Sequence, residues 1–324
     1  MQPDILKTAL AKQPYLVLDG GLASELVNAG YDLRHPLWTG KILSECPEAI
    51  RKTHLDYLHA GANIIITSSY QLSFIRNPAS GFSPREIEKL LKKSVVVAKD
   101  VVAEYLNAFG NHPLTIKPMV AASLGSYGAC LADGSEYCGR FGLSIRELAE
   151  FHKPRIAALI ESNPDLIAFE TLPDARETEA LASLIQSNPY PCWFTFSCAD
   201  EKTIHDGTSI RDVVSIASSC SATLAAGINC TPPSLITSLI HEIRPSLNGR
   251  EIVVYPNSGE TWNHTKHSWS MGKEQESDFP AETWFEAGAR LVGGCCRTGP
   301  AEIAEIKKTL SRISQSAPDS PSIN

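Results

Sequence analysis

Arg290-Leu291-Val292-Gly293-Gly294-Cys295-Cys296-Arg297-Thr298 is a short apolar run, a glycine pair that stops it and a thiol doublet, with a helix start signal following at Pro300. A strand with polar residues at its carboxyl end, leading into a helix, decides the fold because the same unit recurs upstream along nearly the whole chain. Tyr15-Leu16-Val17-Leu18 ends in Asp19-Gly20-Gly21 and runs into a helical stretch at 22–28. The β-branched run at 62–70 follows a helix at 47–60 and precedes a long amphipathic one at 84–108. Apolar runs at 115–123, 165–170, 192–197, 222–230 and 251–257 then alternate with helical stretches at 144–162, 174–186, 209–219, 233–243 and 281–287.

About eight strand candidates, each followed by a helix, predict a (β/α)8 TIM-type barrel, whose parallel strands are covered on both faces and are therefore uniformly apolar. An open doubly wound sheet is the competing arrangement. It would bind ligands in one crevice and gives no reason for a polar residue to end nearly every strand. Here Asp19, Ser69, Ser123, Glu170, Ser197, Asn229, Asn257 and Cys295 all stand at carboxyl ends. A barrel gathers those ends at one mouth. The expected organisation is a single catalytic domain over 1–313, with 314–324, a stretch containing Ser, Pro and Asp, as a disordered tail.

The 324 residues carry a net charge of -7, which argues against a general affinity for nucleic acid or an anionic membrane and favours small-molecule partners. The N-terminus lacks the basic-then-apolar order of a secretory signal, and no apolar run is long enough to span a bilayer. A cytoplasmic location is expected. Nine cysteines, an odd number, fit a reducing compartment better than a disulfide framework, so most are expected to be free thiols. Cys46, Cys130, Cys138, Cys192, Cys198 and Cys220 have no metal-ligand spacing and are read as packing or incidental thiols.

Adjacent cysteines such as Cys295 and Cys296 do not readily bond to each other, because the ring would strain the peptide. Metal binding, redox chemistry and packing remain open. In a barrel, Cys230 of Gly227-Ile228-Asn229-Cys230 comes to the same rim. Three thiolates with one open position describe a catalytic zinc, whereas a structural zinc fills all four places from the protein. His264 and His267 are further candidates, against which stands a plain polar loop. Spacing alone leaves zinc and packing equally open. A soft metal with an open place suits a thiol substrate, whose proton it displaces. Asp19 either caps the helix beginning near 22 or takes an ammonium group, with the turn at Gly20 taking a carboxylate. Glu170 ends an apolar strand where an unpaired carboxylate is costly, which points to a functional group. Together these features fit an amino acid that carries a thiol. Trp38, Tyr70 and Tyr127 are candidates to face a cationic sulfur, with ordinary packing as the alternative for each.

These residues make the chain recognisable. It resembles the homocysteine S-methyltransferase family, and within it the branch that uses S-methylmethionine or S-adenosylmethionine. The likeness rests on Leu18-Asp19-Gly20-Gly21 with Glu25-Leu26, Pro36-Leu37-Trp38, Ser68-Ser69-Tyr70-Gln71, Tyr127-Gly128-Ala129, Leu131-Ala132-Asp133-Gly134-Ser135-Glu136-Tyr137, Phe169-Glu170-Thr171, Gly227-Ile228-Asn229-Cys230 and the Gly293 to Thr298 stretch. It implies a barrel in which Cys230, Cys295 and Cys296 bind one zinc per chain, with the homocysteine sulfur as fourth ligand. Asp19 and Glu170 would hold the homocysteine amino group and the turn at Gly20 its carboxylate. The resemblance further implies direct methyl transfer from a sulfonium to homocysteine, giving methionine. The betaine-using branch, with its long C-terminal extension, and the cobalamin-dependent synthase, with its added domains, match less well, so a monomer is expected.

Overall fold

The computed structural model describes residues 4–75, 80–109, 116–259, 261–263, 268–270 and 279–316. The apolar runs form short parallel strands: β1 (Leu16–Val17), β2 (Ile64–Ile66), β3 (Met119–Gly125), β4 (Leu166–Leu172), β5 (Cys192–Phe196), β6 (Thr223–Asn229) and β7 (Glu251–Tyr255). A small antiparallel pair, β8 (Thr261–Asn263) and β9 (Ser268–Ser270), precedes the last barrel strand, β10 (Ala289–Val292). The sheet runs β1-β10-β7-β6-β5-β4-β3-β2, and a Leu18–Ile64 bridge brings its two edges together. Asn63 donates its N–H to the Val17 carbonyl at 2.7 Å, and Asp19 donates to Ile64 at 3.0 Å. This is the (β/α)8 barrel that the sequence predicts, with no free sheet edge left between β1 and β2.

The continuous apolar character of the strands has a direct cause. Alternate residues face opposite sides of a strand, and both sides are covered here. Leu16, Leu166, Ala168, Trp193, Val253 and Leu291 fill the barrel interior. Their neighbours Val17, Ile167, Phe169, Phe194, Val254 and Val292 belong to the second cluster, between sheet and helices. The outer layer comprises α1 (Ile5–Leu10), α2 (Leu22–Asn28), α3 (Thr39–Glu45), α4 (Pro47–His59), α5 (Pro84–Phe109), α6 (Tyr127–Leu131), α7 (Ile145–Glu161), α8 (Ala175–Ser187), α9 (Ile210–Ser219), α10 (Pro233–Ile243), α11 (Ala281–Ala287) and α12 (Pro300–Ser316). Side-chain caps set several starts: Ser144 and Glu147 form a capping box on α7, and Asp174 accepts from the N–H groups of Arg176 and Glu177 on α8.

Several boundaries differ from the sequence reading; the run expected at 62–70, for example, is a strand only over Ile64–Ile66. Helix α12 runs to Ser316, so 314–316 are helical, while 317–324 lie outside the described residues. Strand β3 begins at Met119 and continues to Gly125. Helices α1, α3 and α6 were not expected, each being too short to show a full amphipathic period. Among the described residues no helix is long and apolar enough to cross a membrane.

Candidate active site and metal centre

The polar strand ends meet at the carboxyl mouth of the barrel. Cys230 follows β6, and Cys295 and Cys296 follow β10. The loop carrying the doublet is pinned from both sides: Cys295 N–H donates to the Pro256 carbonyl at 2.7 Å, Ser258 N–H donates to the Cys296 carbonyl at 3.1 Å, and Gly294 N–H donates to the Asp19 carbonyl at 3.1 Å. On the far side, the Thr298 carbonyl accepts from Gly21 N–H at 2.8 Å and from Tyr57 Oη at 2.9 Å. A Cβ at Gly20 would meet the Tyr57 ring and the Thr298 carbonyl within 3.0 Å, so the first turn can close on the last only with glycine there.

The three sulfurs of Cys230, Cys295 and Cys296 lie within 4.8 Å of one another. Cys296 Sγ stands 4.0 Å from each of the other two. Tetrahedral zinc with thiolates at about 2.3 Å separates its sulfurs by about 3.8 Å, so two of the three edges fit such a metal with little movement. On the third edge the structure joins Cys230 to Cys295 in a disulfide, where the sequence leads one to expect three separate thiols. A sulfur in a disulfide is not a thiolate, so the donor set fits a metal once that bond is reduced. The other thiols, including Cys296, are free. Burial, with the charges of Glu136 and Glu170, pushes the Cys296 thiol up to about 12. His264 and His267 lie outside the described residues.

The two acids sit beside this cluster. Asp19 is 2% exposed; its Oδ2 accepts from Ile66 N–H at 2.8 Å, and its Oδ1 has no partner among the described residues. Gly21 is the N-cap of α2 and no side chain caps the helix, so Asp19 does not cap it. Burial, then the charge of Glu170, raises the Asp19 carboxyl well above the usual range. Glu170, 7% exposed, points into the barrel on the face shared by Leu166 and Ala168, where it completes the upper layer of the interior. Ser123 Oγ donates to its Oε1, and Tyr255 Oη donates to its Oε2 at 3.0 Å. Burial raises its pKa to about 7, against these two hydrogen bonds. Two buried carboxyls, one of them with an unpaired oxygen among the described residues, therefore stand beside the sulfurs.

Profile comparison matches residues 16–310 to the family described as homocysteine S-methyltransferase. Homocysteine S-methyltransferase 2 of Arabidopsis thaliana is 44% identical over 311 residues, covering 91% of this chain and 93% of its own. The selenocysteine methyltransferase of Astragalus bisulcatus is 42% identical over 312 residues, covering 91% and 92%. Among solved structures, the metallated form of the homocysteine methyltransferase MmuM from Escherichia coli superposes with a TM-score of 0.82 at 39% identity, covering 94% of this chain and 99% of that one. Its oxidised form gives the same TM-score at 40% identity.

The chain belongs to the homocysteine S-methyltransferase family.

In this methyltransferase the aromatic candidates divide. The Trp38 and Tyr70 rings pack edge to face at 5.9 Å, and burial raises the Tyr70 phenol well above its usual range, with the charge of Glu136 adding to it. Tyr127 instead packs against Phe141 at 5.3 Å and Phe151 at 5.0 Å, which is the packing alternative. Supporting contacts give roles that the sequence reading did not assign, to Asn229, named there only as a polar strand end, and to Tyr255. Asn229 accepts from Thr171 N–H at 2.9 Å and donates to Thr171 Oγ1 at 2.8 Å, bracing a register shift in β4 at which Thr171 takes a left-handed backbone with φ of 57°. That irregularity lies immediately after Glu170. Tyr255 is itself held by Thr195 at 2.7 Å and Trp193 at 3.3 Å. In sequence, Tyr255 shows only as the last residue of an apolar run. Its polar end is legible once the barrel has been assigned.

Proposed function

We propose that this homocysteine S-methyltransferase catalyses the zinc-dependent transfer of a methyl group from a sulfonium donor, S-methylmethionine or S-adenosylmethionine, to homocysteine, giving methionine. The observation that carries this is the triad of sulfurs from Cys230, Cys295 and Cys296 beside two buried carboxyls at the mouth of one barrel. Cys230, Cys295 and Cys296 would hold the zinc, which when bound supplies an acceptor thiolate at neutral pH, where a free thiol near 8.5 is mostly protonated. Asp19 and Glu170 bind the acceptor's ammonium group, and the glycine turn at Gly20 receives its carboxylate. Tyr70 and Trp38 line the donor side.

In the reaction the acceptor sulfur forms a bond to the methyl carbon as the bond from carbon to the sulfonium sulfur breaks, and that electron pair returns to the donor. Positive and negative charge cancel. A mouth that excludes water favours this collapse over the separated ions, and holding both reactants in line supplies much of the remaining rate.

The test is methionine formation by reduced, zinc-loaded protein from homocysteine with either donor. Turnover with at least one donor is expected, and none with either, in protein that holds zinc, overturns the proposal. A selenol acceptor is the second reading, favoured by the similarity to the Astragalus enzyme. Competition between homocysteine and selenocysteine in the same assay ranks the two.

A further inference from the structure

Besides Asp19 and Glu170, a third carboxylate reaches the barrel mouth. Glu136 stands in a 3-10 turn at Ser135–Tyr137, on the segment that joins α6 to α7. That segment is tied across the mouth to neighbouring loops. The Glu136 carbonyl accepts from Ser197 Oγ at 3.4 Å, just beyond the end of β5. Arg140 donates through two guanidinium nitrogens to the Asp206 carbonyl at 2.9 and 2.6 Å, and its backbone N–H donates to Asp174 Oδ2 at 2.7 Å. The Tyr137 ring meets His205 edge to face at 5.8 Å. The turn is therefore held by the loops after β4 and β5, and its position does not depend on the Glu136 side chain.

Within this fixed turn, Glu136 Oε2 is shut off from solvent and has no hydrogen-bond partner among the described residues. A carboxylate oxygen in that condition is costly unless a donor from outside the chain completes it. Its surroundings are those of the site: the charge of Glu136 acts on Cys296, Tyr70 and Tyr137. The cluster with metal-ligand spacing comprises the three sulfurs and does not include Glu136. A cationic ligand group is what the oxygen lacks.

We propose that Glu136 is a specificity-determining residue that binds the α-ammonium group of the methyl donor and so restricts the enzyme to sulfonium amino acids. This rests on the methyl-transfer reading above. Two other cations are available, and each is the poorer match. The acceptor's ammonium has Asp19 and Glu170. The sulfonium loses its charge as the methyl leaves, so an anion placed on it would stabilise the ground state more than the transition state and slow the step. The donor's ammonium keeps its charge throughout, so a carboxylate there contributes equally to both states and appears in KM rather than kcat.

The experiment compares reduced, zinc-loaded wild-type protein with Glu136→Gln, an isosteric change that leaves the backbone ties of the turn in place. For S-methylmethionine, KM and the calorimetric Kd should both rise about 10- to 100-fold, the range for a hydrogen bond to a charged group. The kcat should stay within about threefold and the KM for homocysteine should not move. Glu136→Asp, which keeps the charge at shorter reach, should fall between the two. The deamino analogue of S-methylmethionine should be a poor substrate for the wild type and no poorer for Glu136→Gln. Unchanged S-methylmethionine KM and Kd in the variant, or an equal loss with the deamino analogue, overturns the assignment while methyl transfer stands. A zinc-loaded wild type that turns over neither S-methylmethionine nor S-adenosylmethionine overturns both.

Discussion

Glu170 shows how one side chain links fold and chemistry. It occupies an interior position of the barrel that a hydrophobic residue would fill, and among the described residues two neutral hydroxyls, from Ser123 and Tyr255, donate to it. With its pKa raised to about 7, the free protein holds much of this carboxyl protonated at neutral pH. Between the ordinary carboxyl range and about 7 the folded state binds the extra proton, so this group's contribution to stability is present at low pH and is lost as pH rises through about 7. Ligand binding has the opposite sign, since an ammonium group needs the ionised form. Glu170→Gln should raise the homocysteine KM about 10- to 100-fold at pH 8. The ratio of variant to wild-type KM should shrink as pH falls below about 7, where the wild-type carboxyl is also neutral. The ratio cancels the titration of the substrate thiol; a ratio that stays constant from pH 6 to 8 would remove Glu170 from the ammonium site.

At the scale of elements, two devices can be tested through stability. Asn229, at the end of β6, braces the left-handed Thr171 at the β4 irregularity with one accepted and one donated hydrogen bond. Asn229→Ala leaves the buried Thr171 N–H without its acceptor, and a loss of about 1–3 kcal/mol in urea unfolding is expected. Helix α4 carries His54, wholly buried, with neither ring nitrogen partnered among the described residues. Burial lowers its pKa to about 4. The unfolded chain takes up this proton near 6.5 and the folded one only near 4, so stability should fall as pH drops across that window, by roughly 3 kcal/mol. His54→Leu should flatten this part of the profile, and a variant whose unfolding midpoint still tracks the wild type from pH 7 to 4 would dismiss the explanation. Elements of this kind also mark what sequence could convey. Strands and long helices were legible because burial on both faces leaves apolar runs at 166–169 in β4, 192–194 in β5 and 252–255 in β7, and because α5 and α7 are long enough to show their period. Helix α6 is too short to show a period, and the segment around Glu136 was not legible because it is held by ties to Asp174, Ser197 and Asp206, residues that lie far along the chain. The site divides in the same way. Cys230 and the Cys295–Cys296 doublet announce themselves by type and position at strand ends, whereas Ser123 and Tyr255 acquire a role only when the barrel places them around Glu170.

For the whole molecule, barrel closure and the metal centre are one arrangement, because the loop after β10 that carries the doublet is also bonded to the first turn through the Asp19 and Thr298 carbonyls. The barrel's own order therefore brings Cys230 to Cys295 and Cys296, closely enough for Cys230 and Cys295 to be joined covalently. Metal binding and that bond are mutually exclusive, since each sulfur can be a thiolate ligand or a disulfide partner. Protein kept without reductant should hold far less than about one zinc per chain, and reduction in the presence of zinc should restore it. The metal stabilises whichever state binds it, so zinc should raise the melting temperature of the reduced protein and leave the oxidised protein unmoved. Cys296→Ala separates the two roles: it keeps the Cys230–Cys295 pair and should still form their disulfide, yet it should hold little zinc in either redox state. Cys230→Ala should lose both the bond and the metal. Full zinc content in unreduced protein whose Cys230–Cys295 bond is verified by mass spectrometry would mean that the metal sits elsewhere, and the role of the three sulfurs would have to be redrawn.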